Sequence, residues 1–139
     1  MQSENNNKLI VALDLPSTKK AEKLVDNLGD TVTFYKIGLS LLPVGGFILA
    51  KKLKKLGKKV FLDLKLFDIG HTIENTIRNL NQLDIDFLTV HGDPQVVRSA
   101  SKAKKNPAMK ILAVTLLTSM DRDDLNDSLI KDGNITDLV

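Results

Sequence analysis

A regular rhythm of apolar runs constrains the fold more than any other feature of this 139-residue sequence. Five short runs rich in valine, isoleucine, leucine and phenylalanine begin 24 to 27 residues apart, at Lys8, Val32, Lys59, Ile85 and Lys110. Between them, apolar residues recur three and four positions apart, which is typical of amphipathic helices. Strands that alternate with single helices build parallel βαβ units. The rhythm therefore predicts an α/β fold with a parallel sheet covered by helices.

Two parallel architectures fit this rhythm, an open doubly wound sheet and a (β/α) barrel of TIM type. A dinucleotide-binding sheet carries G-x-G-x-x-G after its first strand, whereas this chain continues with "LPST". Polar residues stand near the carboxyl ends of four predicted strands, at Asp14, Lys36, Asp63 and His91. Because barrel active sites are built on that face, the sequence favours the barrel.

The length limits how much of a barrel the chain can form. An eight-unit barrel typically has about 250 residues, and the rhythm accounts for about five βα units. We therefore expect residues 1–139 to form a single, incomplete barrel domain, with residues 1–7 as a polar tail. The chain would then be a shortened gene product, an expressed fragment or part of a longer protein.

Composition excludes several classes of protein. The sequence has no cysteine, so it has neither disulfides nor a thiolate nucleophile, which fits a reducing compartment. No apolar run approaches the roughly 20 residues of a membrane span. Two histidines, His71 and His91, are too few for a histidine-rich metal site. We expect a cytoplasmic protein that does not enter the membrane.

A basic run from Lys51 to Lys59 supplies much of the net charge of +3. We interpret it as the end of a helix in which Leu53 and Leu56 face the core, the lysines lie in solvent and Gly57 stops the helix. Because no aromatic residues are interleaved for base stacking, we expect no nucleic-acid partner.

Three charges, Asp63, Lys65 and Asp68, follow one another where the third apolar run becomes a polar turn. Asp63 and Lys65 are two apart, so their side chains leave a strand on the same face, and Asp68 follows in the turn. One interpretation is a salt bridge that only orders the loop. The other is a functional site, since Asp14 and Lys36 would add two more charges that are costly to desolvate unless paired.

Five segments give a more specific indication. In order and spacing, "VALDLPS", "FYKIGLSLL", "VFLDLKLFDIGHTI", "LTVHG" and "AVTLLTSMD" resemble the orotidine 5'-phosphate decarboxylase family, over residues 8–127. The D-x-K-x-x-D-I segment is the most specific of them. The resemblance implies a TIM-type barrel that converts orotidine 5'-phosphate to uridine 5'-phosphate in de novo pyrimidine synthesis. It also implies a homodimer and no metal or organic cofactor.

The resemblance assigns roles to the charged residues. Asp14 and Lys36 would reach the ribose hydroxyls, while Asp63 and Lys65 would lie beside the pyrimidine carbon that loses carbon dioxide. Lys65 would stabilise the developing negative charge and then donate a proton, and the flanking carboxylates would favour its charged form. Asp68 would cross the dimer interface to complete the neighbouring site.

Three further residues have implied substrate contacts. Thr72 belongs to the segment after Asp68, and Thr118 and Ser119 would close on the pyrimidine ring. The family's phosphate-binding arginine and glutamine would lie beyond Val139, so the activity of this chain alone is an open question.

Three positions depart from the family pattern "H-D-I-P-N-T". Phe67, Gly70 and His71 stand where that pattern has histidine, proline and asparagine. We expect Gly70 to loosen the turn and His71 to cap the following helix rather than contact substrate. His91 is interpreted as a hydrogen-bonded histidine that orients the mouth of the barrel.

Two other functions fit parts of the sequence. Magnesium-dependent sugar-phosphate decarboxylases and aldolases of the same superfamily have a similar D-x-K region. A catalytically inactive partial barrel that dimerises through its open strand edges is the second alternative.

Overall fold

A computed structural model of the chain describes residues 8–128 and residue 134, in which strands and helices alternate throughout. The five strands are β1 (Val11–Ala12), β2 (Phe34–Gly38), β3 (Lys59–Leu66), β4 (Phe87–His91) and β5 (Lys110–Val114). The helices are α1 (Thr18–Leu28), α2 (Gly46–Lys55), α3 (Gly70–Leu80), α4 (Pro94–Ala103) and α5 (Arg122–Asp127). Short 3₁₀ turns cover Gly29–Thr31, Leu39–Val44 and Asn81–Leu83. The predicted tail, residues 1–7, lies outside the described residues.

The strands form one parallel sheet in the order β1-β2-β3-β4-β5, so each strand pairs with the next one in the chain. Sequential parallel strands joined by helices are the arrangement of a (β/α) barrel, and an open doubly wound sheet instead reverses its strand order. The predicted α/β fold with five βα units of a TIM-type barrel is confirmed.

One face of the sheet packs under the helices and forms the core. The buried residues in the strands, or directly after β1, include Leu13, Tyr35, Ile37, Val60, Leu62, Leu88 and Val90, and the buried helix residues include Ala21, Leu49, Leu53, Ile73, Ile77 and Ala100. The helices start at defined caps: the Ser17 side chain accepts a hydrogen bond from Lys20 N in α1, and the Asp93 carboxylate accepts two from the start of α4.

The other face is the inner face of the barrel, and it has two layers. Towards the amino ends of the strands, Phe34, Phe61 and Phe87 pack edge to face, with ring centroids 5.0 and 5.8 Å apart. Towards the carboxyl ends the side chains are charged or polar. Because side chains alternate along a strand, Lys36 follows Phe34, and Asp63 follows Phe61, on the same face. An aromatic layer therefore lies beneath a charged one.

The basic run is only partly as predicted. α2 ends at Lys55 with Leu56 as its C-cap, and Gly57 adopts φ 72° with the paired backbone hydrogen bonds of a Schellman cap, as expected for a helix-stopping glycine. Leu53 is buried, but Leu56 is 54% exposed, so the prediction that it faces the core is wrong. Helical spacing would place Leu56 on the buried face with Leu53, but Leu56 is the C-cap residue and no longer follows the helix.

The lysines of this run are not all in solvent either. Lys58 is 8% exposed, and its ammonium donates to the carbonyls of Gly29 and Val32 at 2.7 and 3.1 Å. Lys54 pairs with Asp86 at 2.8 Å. These lysines bind neighbouring segments of the chain itself. In the part of the chain that the structure describes, no helix is both long and apolar enough to span a bilayer.

Candidate active site

Four of the predicted site residues form one chain of ion pairs at the carboxyl edge of the sheet. Lys36 on β2 lies 3.7 Å from Asp14, which follows β1, and 3.2 Å from Asp63 on β3. Lys65, also on β3, lies 2.8 Å from the other oxygen of Asp63. The order Asp14–Lys36–Asp63–Lys65 alternates in sign, so each internal charge has a partner on both sides.

Asp63 is the centre of this network. Its side chain is 13% exposed, and it accepts hydrogen bonds from Lys36, Lys65 and the Thr89 hydroxyl, at 3.2, 2.8 and 2.9 Å. Burial by itself would raise the pKa of Asp63, but these hydrogen bonds and the positive charge of Lys65 outweigh it and hold the pKa below its usual range. Asp63 is therefore an ionised anchor for both lysines.

Lys65 has an unusual backbone. Its φ is 46°, in the left-handed region that a residue with a side chain enters at a cost of about 1–2 kcal/mol. The pairing of β3 with β4 shifts register between Leu62 and Leu66, so Lys65 sits in an irregular part of the strand. Strand alternation predicted the correct face for Lys65 but gave no indication of this conformation. Strained positions of this kind cluster at functional sites.

Thr89 on β4 belongs to the site, and sequence reasoning missed it. Its side chain is 5% exposed, and its hydroxyl accepts from Lys65 N and donates to Asp63 Oδ1, both at 2.9 Å. The only signal was a single hydroxyl residue in the apolar run "FLTV", two positions before His91 and therefore on the same face. A search for charged residues and histidines passes over it.

The Lys65 side chain opens onto a cavity of about 490 Å³. Its lining is Lys65, His91, Val114, Thr115, Leu116, Leu117, Met120 and Ser128. Lys65 is 39% exposed, three times the exposed fraction of Asp63, so the ammonium faces the cavity while its partner lies behind it. A positive charge at the wall of a largely apolar cavity can stabilise negative charge that develops on a bound molecule.

His91 lies at the carboxyl end of β4, as predicted. Its Nδ1 accepts a hydrogen bond from Asp93 N at 3.2 Å. The ring of Phe67 packs on the imidazole with centroids 4.3 Å apart. His91 is thus held by a backbone donor and an aromatic ring, which fits a histidine that shapes the cavity.

Asp68 and Thr72 lie outside the chain of ion pairs that the described residues form. Asp68 is exposed and accepts from Ile69 N at 2.7 Å, and Thr72 is exposed in the first turn of α3. A second cavity of about 390 Å³ borders Asp68, between Phe67 and Ile69 on one side and α4 on the other. The structure therefore places Asp68 at a surface beside the site rather than within its hydrogen bonds.

The expectation that His71 caps α3 is wrong. The N-cap residue is Ile69, and it makes no side-chain capping bond. His71 lies within the first turn, where its Nε2 is 2.9 Å from Asn75 Nδ2, one turn further on. Because α3 already begins at Gly70, His71 lies inside the helix and cannot occupy the N-cap position.

Gly70 has a packing reason. It is the first residue of α3, and a Cβ built there would lie 2.7 Å from Ser99 Oγ on α4. Helices α3 and α4 therefore approach closely at this point. The space available explains a glycine without any appeal to a looser turn.

Thr118 and Ser119 lie in an exposed turn after β5, closed by a hydrogen bond from Met120 N to Leu117 O at 3.0 Å. The residues on either side, Leu117 and Met120, line the 490 Å³ cavity. The turn is thus at the rim of the cavity.

No three histidine, aspartate or glutamate side chains gather as a metal site among residues 8–128 and 134. The acidic groups at the site, Asp14 and Asp63, instead contact lysines. Both carboxylates are therefore paired with lysine side chains.

The chain is similar to known proteins over nearly its whole length. It is 56% identical, over 135 residues, to an orotidine 5'-phosphate decarboxylase of Ruegeria pomeroyi, with 96% of this chain aligned. The crystal structure of orotidine 5'-phosphate decarboxylase from Lactobacillus acidophilus superposes with a TM-score of 0.84 at 36% identity, covering 94% of this chain and 62% of that one. The Methanocaldococcus jannaschii orotidine 5'-monophosphate decarboxylase, complexed with the inhibitor BMP, matches with a TM-score of 0.69 at 32% identity, over 78% of this chain and 51% of that one.

The relatives are longer. The chain spans 56% of the Ruegeria pomeroyi protein and 59% of the corresponding protein of Jannaschia sp., to which it is 54% identical over 97% of its own length. The family model named "Orotidine 5'-phosphate decarboxylase / HUMPS family" matches residues 7–139. With this match and the parallel barrel units, the chain belongs to the orotidine 5'-phosphate decarboxylase / HUMPS family.

Proposed function

We propose that the protein decarboxylates orotidine 5'-phosphate to uridine 5'-phosphate, a step of de novo pyrimidine synthesis. One observation carries the proposal: the Lys65 ammonium, fixed 2.8 Å from Asp63, is the charged wall of a cavity otherwise lined largely by apolar side chains. The names of the relatives at 51–56% identity point to the same reaction.

The reaction needs such a charge. When the bond between the pyrimidine ring and its carboxylate breaks, carbon dioxide leaves and the electron pair stays on a ring carbon with no adjacent carbonyl to accept it. A fixed ammonium next to that carbon lowers the barrier, because it interacts more strongly with the transition state than with the substrate. Lys65 then transfers a proton to the carbon, and water returns a proton to Lys65.

The other residues of the network prepare Lys65 for this role. Asp63 holds the ammonium in place from behind, and we propose that the substrate carboxylate binds next to this pair. Lys36 keeps Asp63 ionised from the other side, and Asp14 joins it as an exposed carboxylate within reach of sugar hydroxyls. We assign Asp14 and Lys36 to the ribose, and Thr118 and Ser119, at the cavity rim, to the pyrimidine ring.

We further propose that the protein acts as a homodimer in which Asp68 reaches the neighbouring site and Thr72 contacts the same substrate. Support comes from the surface around Asp68, because Phe67 and Ile69 on either side of it are 66% and 69% exposed. Exposed apolar residues that flank a charge are typical of an interface.

The partners and location follow from the same proposal. The substrate is a nucleotide rather than a nucleic acid, since lysines of the basic run bind Glu22 and Asp86 within the chain. The cytoplasm is the expected location, where pyrimidine nucleotides are made. We also propose that residues 1–139 belong to a single domain.

The test uses a chimera in which this chain replaces the segment that it matches in the Ruegeria pomeroyi relative. We expect the chimera to release carbon dioxide from orotidine 5'-phosphate, with the unmodified relative as the positive control. A chimera that folds and leaves the substrate unchanged would contradict the proposal and favour a catalytically inactive dimerising module.

A chelator tests the remaining alternative, a magnesium-dependent sugar-phosphate enzyme of the same superfamily. The magnesium-dependent sugar-phosphate enzymes of the superfamily need a divalent ion, whereas Lys65 needs none for the chemistry described above. Activity of the chimera should be unchanged in EDTA. Loss of activity in EDTA, restored by magnesium, would favour the sugar-phosphate class.

A further inference from the structure

Thr89 makes two hydrogen bonds that meet on its hydroxyl group. The Lys65 N–H can only donate, so the hydroxyl oxygen accepts from it at 2.9 Å. An ionised carboxylate can only accept, so the hydroxyl hydrogen points to Asp63 Oδ1 at 2.9 Å. The hydrogen-bond direction is therefore fixed at both ends.

The same carboxylate oxygen also accepts from Lys65 Nζ at 2.8 Å. The contacts thus form a closed ring that runs from Lys65 N to Thr89 Oγ1, to Asp63 Oδ1 and back to Lys65 Nζ. This ring starts and ends on Lys65, so it holds the backbone and the ammonium of one residue together. Hydrogen bonds that polarise one another in a poorly solvated place are stronger than isolated ones.

We propose that Thr89 is a positioning residue, whose hydroxyl fixes the left-handed Lys65 backbone and the Asp63 carboxylate relative to each other. The residue type suits this role. Thr89 lies on β4, the strand next to β3, and is 5% exposed, so water does not compete for its hydroxyl. Its branched side chain is stiff at χ1 and points the hydroxyl in one direction.

Without Thr89, Asp63 would keep its lysines but lose this neutral donor. The groups that face Asp63 are Lys36 from β2, Lys65 from β3 and Thr89 from β4, and Asp14 faces Lys36 from beyond β1. Lys65 N would lose its acceptor at a backbone position that is already strained. Thr89 thus acts on the reaction only through Asp63 and Lys65, and its catalytic consequence rests on the proposed function.

The first measurement needs no activity. NMR on the 139-residue chain gives the titration of the Asp63 carboxyl and the exchange rate of the Lys65 amide. In Thr89→Val, which keeps the shape and removes the hydroxyl, the pKa of Asp63 should rise and the amide should exchange faster. Thr89→Ser should keep both properties close to those of the wild type. Thr31→Val, a change of the same chemistry at an exposed turn, should alter neither.

A second pair guards against misfolding. If Thr89→Val does not fold, Thr89→Ala is compared with Thr89→Ser, because these two variants also differ by one hydroxyl. The proposal is overturned if the Asp63 titration is the same with and without the hydroxyl, or if Thr89→Ser behaves like the variant that lacks it.

The second measurement uses the chimera. Thr89→Val should lower kcat roughly 10- to 100-fold, as expected for a hydrogen bond to a charged group, with little change in KM, and Thr89→Ser should restore most of it. If the chimera without substitutions is inactive, the proposed function fails and the titration still decides the role of Thr89. If kcat in Thr89→Val is unchanged while the Asp63 pKa rises, Thr89 does not position the reaction, and the inference is wrong.

Discussion

Asp63 and Lys65 lie two positions apart on β3 and touch at 2.8 Å, yet they differ in backbone and exposure. Asp63 continues the strand and is 13% exposed, whereas Lys65 has φ 46° and is 39% exposed. The irregular backbone lets the ammonium reach the cavity without leaving its carboxylate. In a regular strand, Asp63 and Lys65 would also lie on one face. The irregular backbone adds the hydrogen bond from Lys65 N to the Thr89 hydroxyl.

The lowered pKa of Asp63 predicts how stability depends on pH. A carboxylate whose pKa is depressed on folding contributes stability above its unfolded pKa, near 3.8, and that contribution is lost as the pH falls through the folded value. Asp63→Asn should therefore flatten the loss of unfolding free energy below about pH 4. Urea unfolding at a series of pH values measures it.

Glu74 provides a comparison for this experiment. Hydrogen bonding to Lys102, together with the charges of Lys102 and Arg78, lowers the pKa of Glu74 despite the opposing effect of burial. The cations that pair with Glu74 are exposed. Added salt should therefore reduce the effect of Glu74→Gln on the free energy of unfolding more than that of Asp63→Asn. Equal salt sensitivity, or an unchanged acid slope in Asp63→Asn, would contradict the view of Asp63 as a partly buried anchor.

Lys58 should stabilise the fold, although it is not one of the proposed site residues. In Lys58→Met, the partly buried carbonyl of Gly29 and the buried carbonyl of Val32 lose their donor, which should cost about 2–3 kcal/mol of unfolding free energy. Lys55→Met, an exposed change in the same basic run, should stay within about 0.5 kcal/mol of the wild type. Thermal or urea unfolding of both variants decides, and equal stabilities would show that the Lys58 contacts are not needed.

Gly70 predicts a coupling between helices. Gly70→Ala should destabilise the protein by about 1–3 kcal/mol, because the new Cβ would meet Ser99 Oγ at 2.7 Å. Most of this cost should disappear when Ser99→Ala is present. A double-mutant cycle measures the coupling. Additive effects of the two substitutions would mean that α3 and α4 do not approach closely at Gly70.

Ile69 tests the proposed dimer. Ile69→Ser should weaken self-association in sedimentation equilibrium, because it removes an exposed apolar contact next to Asp68. Ile48→Ser is the matched control, since Ile48 is equally exposed on α2, away from this surface. A chain that stays monomeric at every concentration, or two variants that behave alike, would rule out an interface at the Asp68 turn.

Much of the fold was predictable because its signals are repetitive. The 24- to 27-residue rhythm located all five strands to within a few residues, and Gly57 marked the end of α2. Local geometry was harder. The second predicted strand stops at Gly38 and becomes a 3₁₀ turn, and β1 pairs over only two residues. Only part of the apolar run after Gly38 packs in the core, since Leu41 is buried whereas Leu39 is 58% exposed.

The charged part of the site was predictable for a different reason. Parallel strands bring their carboxyl ends to one edge, so Asp14, Lys36 and Asp63 had to be neighbours if the barrel was right. Thr89 could not be found in this way, since a lone hydroxyl in a strand is common. The left-handed conformation of Lys65 could not be predicted either, because no glycine or asparagine marks the position and its N–H bonds a residue on another strand.

Lys65→Ala in the chimera tests the central claim most directly, with Lys51→Ala on the exposed face of α2 as its control. If Lys65 stabilises the developing charge and donates the proton, the substitution should lower kcat by several orders of magnitude, since each tenfold step corresponds to about 1.4 kcal/mol of barrier. Binding of the product nucleotide should weaken far less, and Lys51→Ala should match the unsubstituted chimera. If Lys65→Ala retains more than about a tenth of the turnover, less than about 1.4 kcal/mol of the barrier depends on Lys65, and another residue is the proton donor.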